Sequence, residues 1–389
     1  MVRVIGKNKW MLEAIAGGMI LLAFAGLLAN PKEISHAARE GIYLCLDVII
    51  PTLFPFFVLS TMVIELGLAK YAGRVLERSM RPLFRLSGAC SAAVVLGFLG
   101  GYPIGAATAI SLYEKKLCSK TEAERLLAFC NNSGPAFILG AVGIGILGSS
   151  KAGWLLYLTH MAASVTVGML FRFYKYKEKP WTVQPECDSK PIIFSEVFTD
   201  SVKTAFKSVF YICSFVIFFT VAVRLLFISG LLPAAASGIA MLFKAFGAEQ
   251  KSVQDFLTGL IEITSGLWSL QDSPLAQLRG QMAMAAFMLG WAGFSVHCQV
   301  LSFIGQSGLS QRTYVSGKLL HGGISAAYTF LLFRYFGLEG QASQAIAEQV
   351  KTIARLNFWD TLSITLYTVL AIGIAATVFC RDCRRGARS

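Results

Sequence analysis

Two side-chain amides, a hydroxyl and two helix-breaking residues occur together in one short run, Asn131-Asn132-Ser133-Gly134-Pro135, near the start of an apolar segment. Pro135 cannot donate a backbone hydrogen bond and Gly134 loosens the turn, so nearby backbone carbonyl groups lose their helical partners. Free carbonyls beside amides and a hydroxyl can bind a polar solute or a cation. The alternative is an ordinary helix start capped by Asn or Ser. We predict that Asn131, Asn132, Ser133, Gly134 and Pro135 bind a solute.

Acidic side chains are expensive to bury in a membrane, so Glu262 and Asp47 are candidate ion-coupling residues. Glu262 lies inside the apolar segment 253–270, next to Thr and Ser, and is suited to bind Na⁺ or to carry a proton. In the alternative interpretation it is a neutral side chain hydrogen-bonded to a neighbouring helix. Asp47 precedes a Pro-x-x-x-Pro run, which predicts a kinked helix with freed carbonyls nearby. Arg224 also needs a partner, for which Asp47, Glu65 and Glu262 are candidates.

Two polar residues in the second half of the chain, His297 and Gln299, lie in the run Gly-Phe-Ser-Val-His-Cys-Gln. We predict that both line the solute site. A single His within an apolar segment is, in the alternative, an interior hydrogen-bonding group. Lys318 and His321 follow shortly after. They are either further polar groups inside the membrane segment or side chains that reach the membrane interface.

The stretch 97–105, Gly-Phe-Leu-Gly-Gly-Tyr-Pro-Ile-Gly, contains helix breakers at five of its positions. Irregular backbone at membrane depth is tolerated only where it is buried in protein or lines a cavity. We therefore predict that segment 87–112 enters the membrane and returns on the same side. Its Gly100, Gly101, Tyr102, Pro103 and Gly105 are predicted to shape the wall of the solute site opposite the Asn-Asn-Ser-Gly-Pro run.

Long apolar segments must carry these residues. The chain has 389 residues, of which 55% are hydrophobic and 15% charged, and its mean hydropathy is +0.61. A membrane-crossing helix needs about 20 apolar residues, which is longer than a buried strand. Ten segments meet this length: 10–29, 41–68, 87–112, 126–148, 152–173, 208–232, 253–270, 282–305, 318–336 and 358–380. We predict an all-α, polytopic membrane protein that contacts the lipid bilayer over most of its length.

The basic residues are clustered, and the formal net charge is +13. A nucleic-acid partner is not predicted, because no aromatic–basic interleaving and no nucleic-acid module accompany the charge. Basic loops of membrane proteins stay in the cytoplasm. The clusters lie at 3–9, 70–85, 172–207 and 381–388. About eight transmembrane helices plus two re-entrant or broken hairpin segments place all of these clusters on the cytoplasmic side.

Similar short runs recur about half a chain apart, which indicates two related halves. The pairs are 96–100 with 289–293, 119–127 with 310–320, and 56–68 with 215–231. Chance similarity between Gly-rich apolar segments is the alternative. The predicted organisation is an N-terminal transmembrane anchor at 1–40, a first half at 41–173, a cytoplasmic linker loop at 174–207, a second half at 208–336, and an amphipathic segment, a last transmembrane helix and a basic tail at 337–389.

The sequence contains no motif of an established enzyme class, neither a hydrolase nucleophile elbow nor a phosphate-binding loop, a zinc-protease helix or the kinase motifs. Cys380 and Cys383 form a C-x-x-C pair, but a metal site needs more ligands and no second pair follows. We predict no enzymatic activity, no metal and no cofactor.

Four stretches of the sequence resemble the YlbJ-type sporulation integral membrane proteins: 100–106, 119–135, 293–303 and 317–322. That family is grouped with the nucleoside recognition, or Gate, domains, which also occur in concentrative nucleoside transporters and in the membrane part of the ferrous-iron transporter. The resemblance implies two Gate-like halves, an endospore-forming source and a place in the mother-cell membrane during sporulation. It also implies a role in forming the spore cortex.

Together, the residues and the resemblance predict a secondary transporter or solute-binding channel for a small polar, nucleoside-like solute, with Na⁺ or H⁺ as the candidate coupling ion. The expected location is the cell membrane, and a homo-oligomer is left open. The alternative is a non-transporting membrane scaffold for assembly of the spore envelope. A third interpretation, an intramembrane enzyme acting on a lipid-linked precursor, lacks a catalytic group of residues.

Overall fold

A computed structural model describes residues 3–66, 79–178, 194–272, 278–336 and 338. All regular structure within these residues is helical, which confirms the predicted class of an α-helical membrane protein. Several predicted features lie outside the described residues. They are the amphipathic segment, the last transmembrane helix, the basic tail with Cys380 and Cys383, and positions 179–193 of the linker loop.

The chain folds into α-helices that are joined by short turns and by a few 3₁₀- or π-helical pieces. We number the α-helices in chain order: α1 Arg3–Ala29, α2 Pro31–Leu44, α3 Ile50–Glu65, α4 Ser91–Gly100, α5 Ile104–Glu114, α6 Lys120–Phe129, α7 Ser150–Phe171, α8 Phe194–Ile228, α9 Leu231–Leu242, α10 Gln250–Ile261, α11 Ile263–Trp268, α12 Leu278–Trp291, α13 Gly293–Ser307 and α14 Gln311–Leu332. A π-helix, Ala136–Ile146, lies between α6 and α7.

Three helical stretches among the described residues are long and apolar enough to cross a membrane: Ser150–Phe171, Phe194–Ile228 and Arg279–Ser307. A fourth candidate is the pair Glu13–Ala29 and Pro31–Leu44, which is bent by 99°. Other apolar segments are divided into shorter helices, so length alone does not assign them as crossings. The predicted number of eight crossings therefore stays a prediction.

The helix α8 begins earlier than the sequence indicated. We predicted residues 194–207 as part of the linker loop, whereas the structure shows that they are helical from Phe194 onward. This stretch contains no Pro or Gly, and Glu196 lies in the first turn, where a negative charge stabilises the helix N-terminus. A polar helical extension therefore precedes the apolar part of α8.

The largest buried core lies among α4 to α7 and α11 to α14. Small residues allow close approach within it, because Gly290 of α12 meets Gly322 of α14 at the backbone. A second core joins α2, α3 and α8 around Phe57, Val209 and Ile212. The two cores meet at the α4–α5 turn, where Ile104 packs into the second one. This arrangement encloses the turn between two groups of helices.

Candidate functional site

The predicted break in segment 87–112 is present, and it forms a helical hairpin. The chain turns back after Gly101, and Gly97 of α4 lies against Gly105 of α5. Gly101 has φ +79°, and a Cβ atom there would lie 2.8 Å from the backbone nitrogen of Gly134. Only glycine combines this backbone conformation with so close a contact. The first hairpin therefore touches the Asn-Asn-Ser-Gly-Pro run directly.

A second hairpin, α10–α11, turns at Glu262. This residue is extended, with φ −137° and ψ 114°, and Gly259 and Gly266 on either side of it meet at the backbone. The Glu262 carboxylate accepts hydrogen bonds from the amides of Thr264 and Ser265, at 3.1 and 2.7 Å, and from the Ser265 hydroxyl at 2.8 Å. Glu262 is thus the N-cap of α11, where an anion is stabilised by the free amides of the helix start.

The chain between α6 and the π-helix is not helical, and side chains of this run and of α7 bind the backbone at the break. The carbonyl of Phe129 accepts hydrogen bonds from the Asn132 amide, at 3.0 Å, and from the Ser164 hydroxyl, at 2.7 Å. The backbone amide of Ser133 donates to Nε2 of His160 at 3.0 Å. The predicted helix break therefore exists, and its polar groups are partly occupied by the protein itself.

A second break separates α12 from α13 at Ala292 and Gly293, both of which have positive φ. Gly293 packs against the backbone on both sides of the second hairpin's turn. The indole of Trp291 donates a hydrogen bond to the carbonyl of Leu260 at 3.2 Å. Each hairpin thus contacts one interrupted helix, the first at the α6 break and the second at the α12–α13 break.

A cavity of about 170 Å³ lies between the two hairpins and the two breaks. By volume it holds on the order of ten water molecules. Seven of the predicted residues line it: Gly100, Gly101, Tyr102, Ser133, Gly134, Glu262 and Gln299. They come from both halves of the chain, so the fold brings together positions that the sequence separates widely.

Apolar side chains form most of the cavity wall, and a few polar groups interrupt it. Phe137 and Val296 are among the apolar residues, and Thr264 and Ser295 add hydroxyl groups that our prediction omitted. The sequence could have indicated both residues, because Thr264 lies close to Glu262 and Ser295 lies close to His297. The hydroxyls of Tyr102 and Ser133 are buried, and neither forms a hydrogen bond of normal geometry in the described structure. Apolar walls with a few polar groups are typical of small-molecule sites.

The remaining predicted residues support this cavity from behind and are not among those that line it. Asn131 is buried, and its amide lies 3.4 Å from the Tyr314 hydroxyl. His297 is enclosed by aromatic rings, and neither of its ring nitrogens has a hydrogen-bond partner among the described residues. The other residues in this group are Asn132, Pro103, Gly105 and Pro135, which are buried in the packing around the breaks.

Asp47 lies in a π-helical turn, Cys45–Ile49, that joins α2 to α3. The turn ends two residues before Pro51, which is in the first turn of α3, and Pro55 lies further inside α3. A wide π turn accommodates the missing donor and the ring of a following proline. The irregular helix predicted from the two prolines is therefore present. The side chain of Asp47 lies outside what the structure describes, so its ion-coupling role stays a prediction.

Three buried polar residues behind the α6 break were not assigned to the site from the sequence: His160 on α7, and Lys318 and His321 on α14. The interpretation of Lys318 and His321 as interfacial side chains is wrong, since their exposed fractions are 1% and 0%. Lys318 donates to the carbonyl of Asn131 at 2.9 Å, and His321 bonds to the carbonyl of His160 at 2.9 Å. The polar groups of α14 point into the protein because the unpaired backbone of the break faces them.

Arg224 pairs with Glu33 of α2, which was not among the three partners proposed from the sequence. Glu65 pairs with Lys115, and the Glu262 carboxylate caps α11. Both side chains of the Arg224–Glu33 pair are partly exposed, so the pair belongs to the periphery of the protein. Glu33 balances the charge of Arg224 where α8 packs against α2.

Glu124 of α6 connects three separate segments on the side of the protein away from the cavity. Its carboxylate accepts hydrogen bonds from the Lys175 amine at 2.9 Å, the Tyr174 hydroxyl at 3.0 Å and the backbone amide of Ser310 at 3.1 Å. Arg125 beside it donates to the carbonyl of Tyr174. These bonds hold the middle of α6, the turn after α7 and the start of α14 together.

The described residues include no group of three or more His, Cys, Asp or Glu side chains that would hold a metal ion. The cavity instead offers one carboxylate, an amide and several hydroxyls within apolar walls. This set of groups is suited to hydrogen-bonding an uncharged polar molecule.

Residues 46–150 match the family model for Gate, nucleoside recognition. This segment is therefore similar to the Gate domains. It contains α3, the first hairpin, α6 and the π-helix, and therefore one of the two sides of the cavity. The nucleoside-recognition resemblance inferred from the sequence is thus confirmed.

Over 340 residues, the chain is 27% identical to the sporulation integral membrane protein YlbJ of Bacillus subtilis (strain 168), and the match covers 82% of each protein. The predicted resemblance to YlbJ-type proteins is confirmed by this match. Neither the Gate description nor that of YlbJ is of an enzyme.

Two solved structures of CNTnw share a lower similarity with the chain. One is an inward-facing, substrate-bound state, with 13% identity and a TM-score of 0.45, covering 87% of this chain and 88% of that one. The other is a variant in an outward-facing state, with 12% identity and a TM-score of 0.42, covering 84% of this chain and 88% of that one.

Proposed function

We propose that the protein is a transporter or solute-binding channel that holds a small polar, nucleoside-like solute in the cavity between its hairpins. The observation that supports this most strongly is the convergence of Gly101 and Ser133 with Glu262 and Gln299 on one cavity. Irregular backbone surrounds that cavity on both sides, as in transporters whose sites are formed by interrupted helices.

The groups on the cavity wall support a solute with a flat apolar part and hydroxyl groups. Tyr102 and Phe137 provide aromatic surface, which stacks favourably on a ring. Ser133, Gln299 and Glu262 provide a hydroxyl, an amide and a carboxylate. In this proposal Glu262 also couples solute binding to Na⁺ or H⁺, and Asp47 is a second ion-coupling candidate.

We also propose that the two sides of the cavity are related halves within the segments 41–173 and 208–336. The order hairpin, interrupted helix and long helix occurs twice, first in α4–α5, α6 with the π-helix, and α7, and then in α10–α11, α12–α13 and α14. This register differs from the one predicted from the sequence, which matched the first hairpin with 289–293. In the structure that run is the α12–α13 break, and in this proposal the counterpart of the first hairpin is the turn at Glu262.

A binding experiment tests the proposed function. The purified protein is heated with nucleosides, amino sugars, dicarboxylates, Na⁺ or divalent cations. A ligand at 100 times its Kd raises the free energy of unfolding by about 2.7 kcal/mol. We expect stabilisation by nucleosides, weakened about 5- to 10-fold in affinity by Ser133→Ala, which removes one hydrogen bond.

The matched control is Ser208→Ala, because Ser208 of α8 is partly exposed, its hydroxyl bonds to the carbonyl of Thr204, and it is not among the residues that line the cavity. This variant should bind every ligand as the unmodified protein does. Folded protein that is stabilised by no compound in the panel would favour the scaffold function, for which the linker loop 174–207 would be essential. Equal affinities for Ser133→Ala and Ser208→Ala would place the solute elsewhere.

The similarity to a sporulation integral membrane protein supports a place in the mother-cell membrane and a role in forming the spore cortex. This part of the proposal is tested in the source organism. Deleting the gene should lower the yield of heat-resistant spores, and the Ser133→Ala variant should restore that yield less well than the Ser208→Ala variant. Full resistance in the deletion strain would contradict the cortex role.

A further inference from the structure

Lys318 is a fully buried lysine in the middle of α14, and its amine donates a hydrogen bond of 2.9 Å to the backbone carbonyl of Asn131. Within the described part of the chain, the ion pairs involve other residues and none includes Lys318. Burial of a charged amine without a carboxylate partner is costly. A buried lysine therefore needs surrounding groups that stabilise its positive charge.

The surroundings of the Lys318 amine are those that broken helices provide for a cation. The helix α6 ends at Phe129, so the negative end of its dipole points toward the break. The Asn131 carbonyl follows immediately and is outside the helical hydrogen-bond pattern. The ring of Tyr102 lies 5.7 Å from the amine, which adds a cation–π contact. Interrupted transporter helices use freed carbonyls of this kind to coordinate Na⁺ or H⁺.

Two histidines lie next to this position, and neither of them binds the Asn131 carbonyl as Lys318 does. His160 accepts the Ser133 amide through Nε2, so that nitrogen carries no proton, and His321 bonds to the carbonyl of His160. The rings lie 4.3 Å apart, at centroid distance. Both imidazoles therefore position backbone groups, and neither supplies a negative charge that would pair with the lysine.

We propose that Lys318 is a tethered cation that occupies the cation position at the end of α6, so that this break needs no free metal ion. The amine neutralises the carbonyl end of α6 and fixes Asn131. Two residues further along, Ser133 lines the cavity, so the lysine sets the shape of the cavity wall. The inference concerns the structure of the break and is independent of whether a solute is moved.

Chemical rescue tests this role. The Lys318→Ala variant loses three carbons and the amine, and propylammonium contains the same atoms. Lys318→Met removes the charge but keeps the side-chain volume, so it leaves no space for an added amine. The unfolding temperature of each purified protein is measured in choline, sodium or propylammonium chloride at equal ionic strength. Lys203→Ala is the matched control, since Lys203 is an exposed lysine of α8.

In choline chloride, we expect both Lys318 variants to unfold about 5 °C or more below the unmodified protein. Propylammonium should recover at least half of the loss in Lys318→Ala and none in Lys318→Met. The unmodified protein and Lys203→Ala should unfold at one temperature in all three salts. If Lys318→Ala does not fold in choline, purification in propylammonium provides the same comparison.

Three results would overturn the proposal. The first is a Lys318→Met variant as stable as the unmodified protein, which would make the charge dispensable. The second is equal recovery of Lys318→Ala and Lys318→Met by propylammonium, which would make the recovery a general effect of the amine that does not depend on the space left by the lysine. The third is no recovery in any salt, which includes failure to obtain folded protein. None of these results depends on the nucleoside binding experiment, so the two proposals can fail separately.

Discussion

The backbone amide of Ser133 donates a hydrogen bond of 3.0 Å to Nε2 of His160. Ser133 lines the cavity, whereas His160 is fully buried in α7, which packs against the opposite side of the break. The bond therefore fixes the position of a cavity residue through a helix that has no contact with the cavity. It also requires that Nε2 of His160 be unprotonated, because the nitrogen acts as an acceptor.

Replacement of His160 by Ala should lower the free energy of unfolding by about 2–5 kcal/mol. The change leaves the buried Ser133 amide without an acceptor, which alone costs about 1–3 kcal/mol, and it opens a cavity in the core. Denaturant unfolding of the purified protein measures the loss. The control is His36→Ala, since His36 is exposed on α2, and this variant should change stability by less than about 0.5 kcal/mol. A neutral His160→Ala variant would contradict the assignment of this bond.

Replacement of Gly101 by Ala should destabilise the first hairpin by about 1–3 kcal/mol. The residue has φ +79°, and an added Cβ would lie 2.8 Å from the backbone nitrogen of Gly134. The cavity wall must shift as a result, so we expect loss of solute binding as well. In the control variant, Gly280→Ala, the added Cβ meets nothing within 4 Å. That substitution lies in a helix and should be neutral or slightly stabilising. Thermal unfolding of both variants distinguishes the two outcomes.

Substitution of Glu262 separates its structural role from its proposed coupling role. Glu262→Ala removes all the hydrogen bonds that cap α11 and should cost about 0.5–2 kcal/mol. Glu262→Gln keeps one side-chain oxygen as acceptor and should cost less. If the carboxylate couples an ion, however, Glu262→Gln should abolish any dependence of solute affinity on Na⁺ or pH. Glu196→Gln, an exposed substitution in the first turn of α8, is the control. Unchanged ion dependence in Glu262→Gln would exclude the coupling role.

The contacts of Glu124 predict coupling between distant parts of the chain. Its carboxylate bonds to Lys175 and to the amide of Ser310, which is the N-cap of α14. Glu124→Ala leaves the partly buried amide of Ser310 without this acceptor and should cost about 1–3 kcal/mol. Lys175→Ala should cost less, because the Lys175 side chain is partly exposed. A double-mutant cycle of the two residues should give a coupling energy above about 0.5 kcal/mol. Additive effects would show that the pair is not formed in solution.

Local signals in the sequence predicted the first hairpin and the α6 break correctly. Helix breakers are concentrated in both places, and their effect does not depend on distant residues. Seven of the predicted site residues line one cavity for the same reason, since irregular backbone in a membrane protein gathers around cavities. Glu262 was identified because an acidic residue stands out in an apolar segment.

The features that the sequence did not predict depend on long-range partners. The second hairpin turns at Glu262, whose side chain caps α11, and not at a Gly or Pro. For this reason the sequence of 253–270 indicated one continuous apolar segment. We considered an interfacial position for Lys318 because its partner could not be identified from the sequence. That partner is the backbone carbonyl of Asn131, a group that every residue possesses. The Arg224–Glu33 pair joins helices far apart in the chain, and several acidic residues were equally suitable as partners.

The hydrogen bond from Ser310 to Glu124 and the bond from Lys318 to Asn131 both begin on α14 and end within residues 46–150. The segment that matches the Gate family model therefore depends on contacts from outside its own borders. In each bond one partner is a backbone group, so each bond depends on one side chain, Glu124 inside this segment or Lys318 outside it. A fragment that ends at residue 150 would lack the lysine that holds the Asn131 carbonyl and the backbone amide that Glu124 binds.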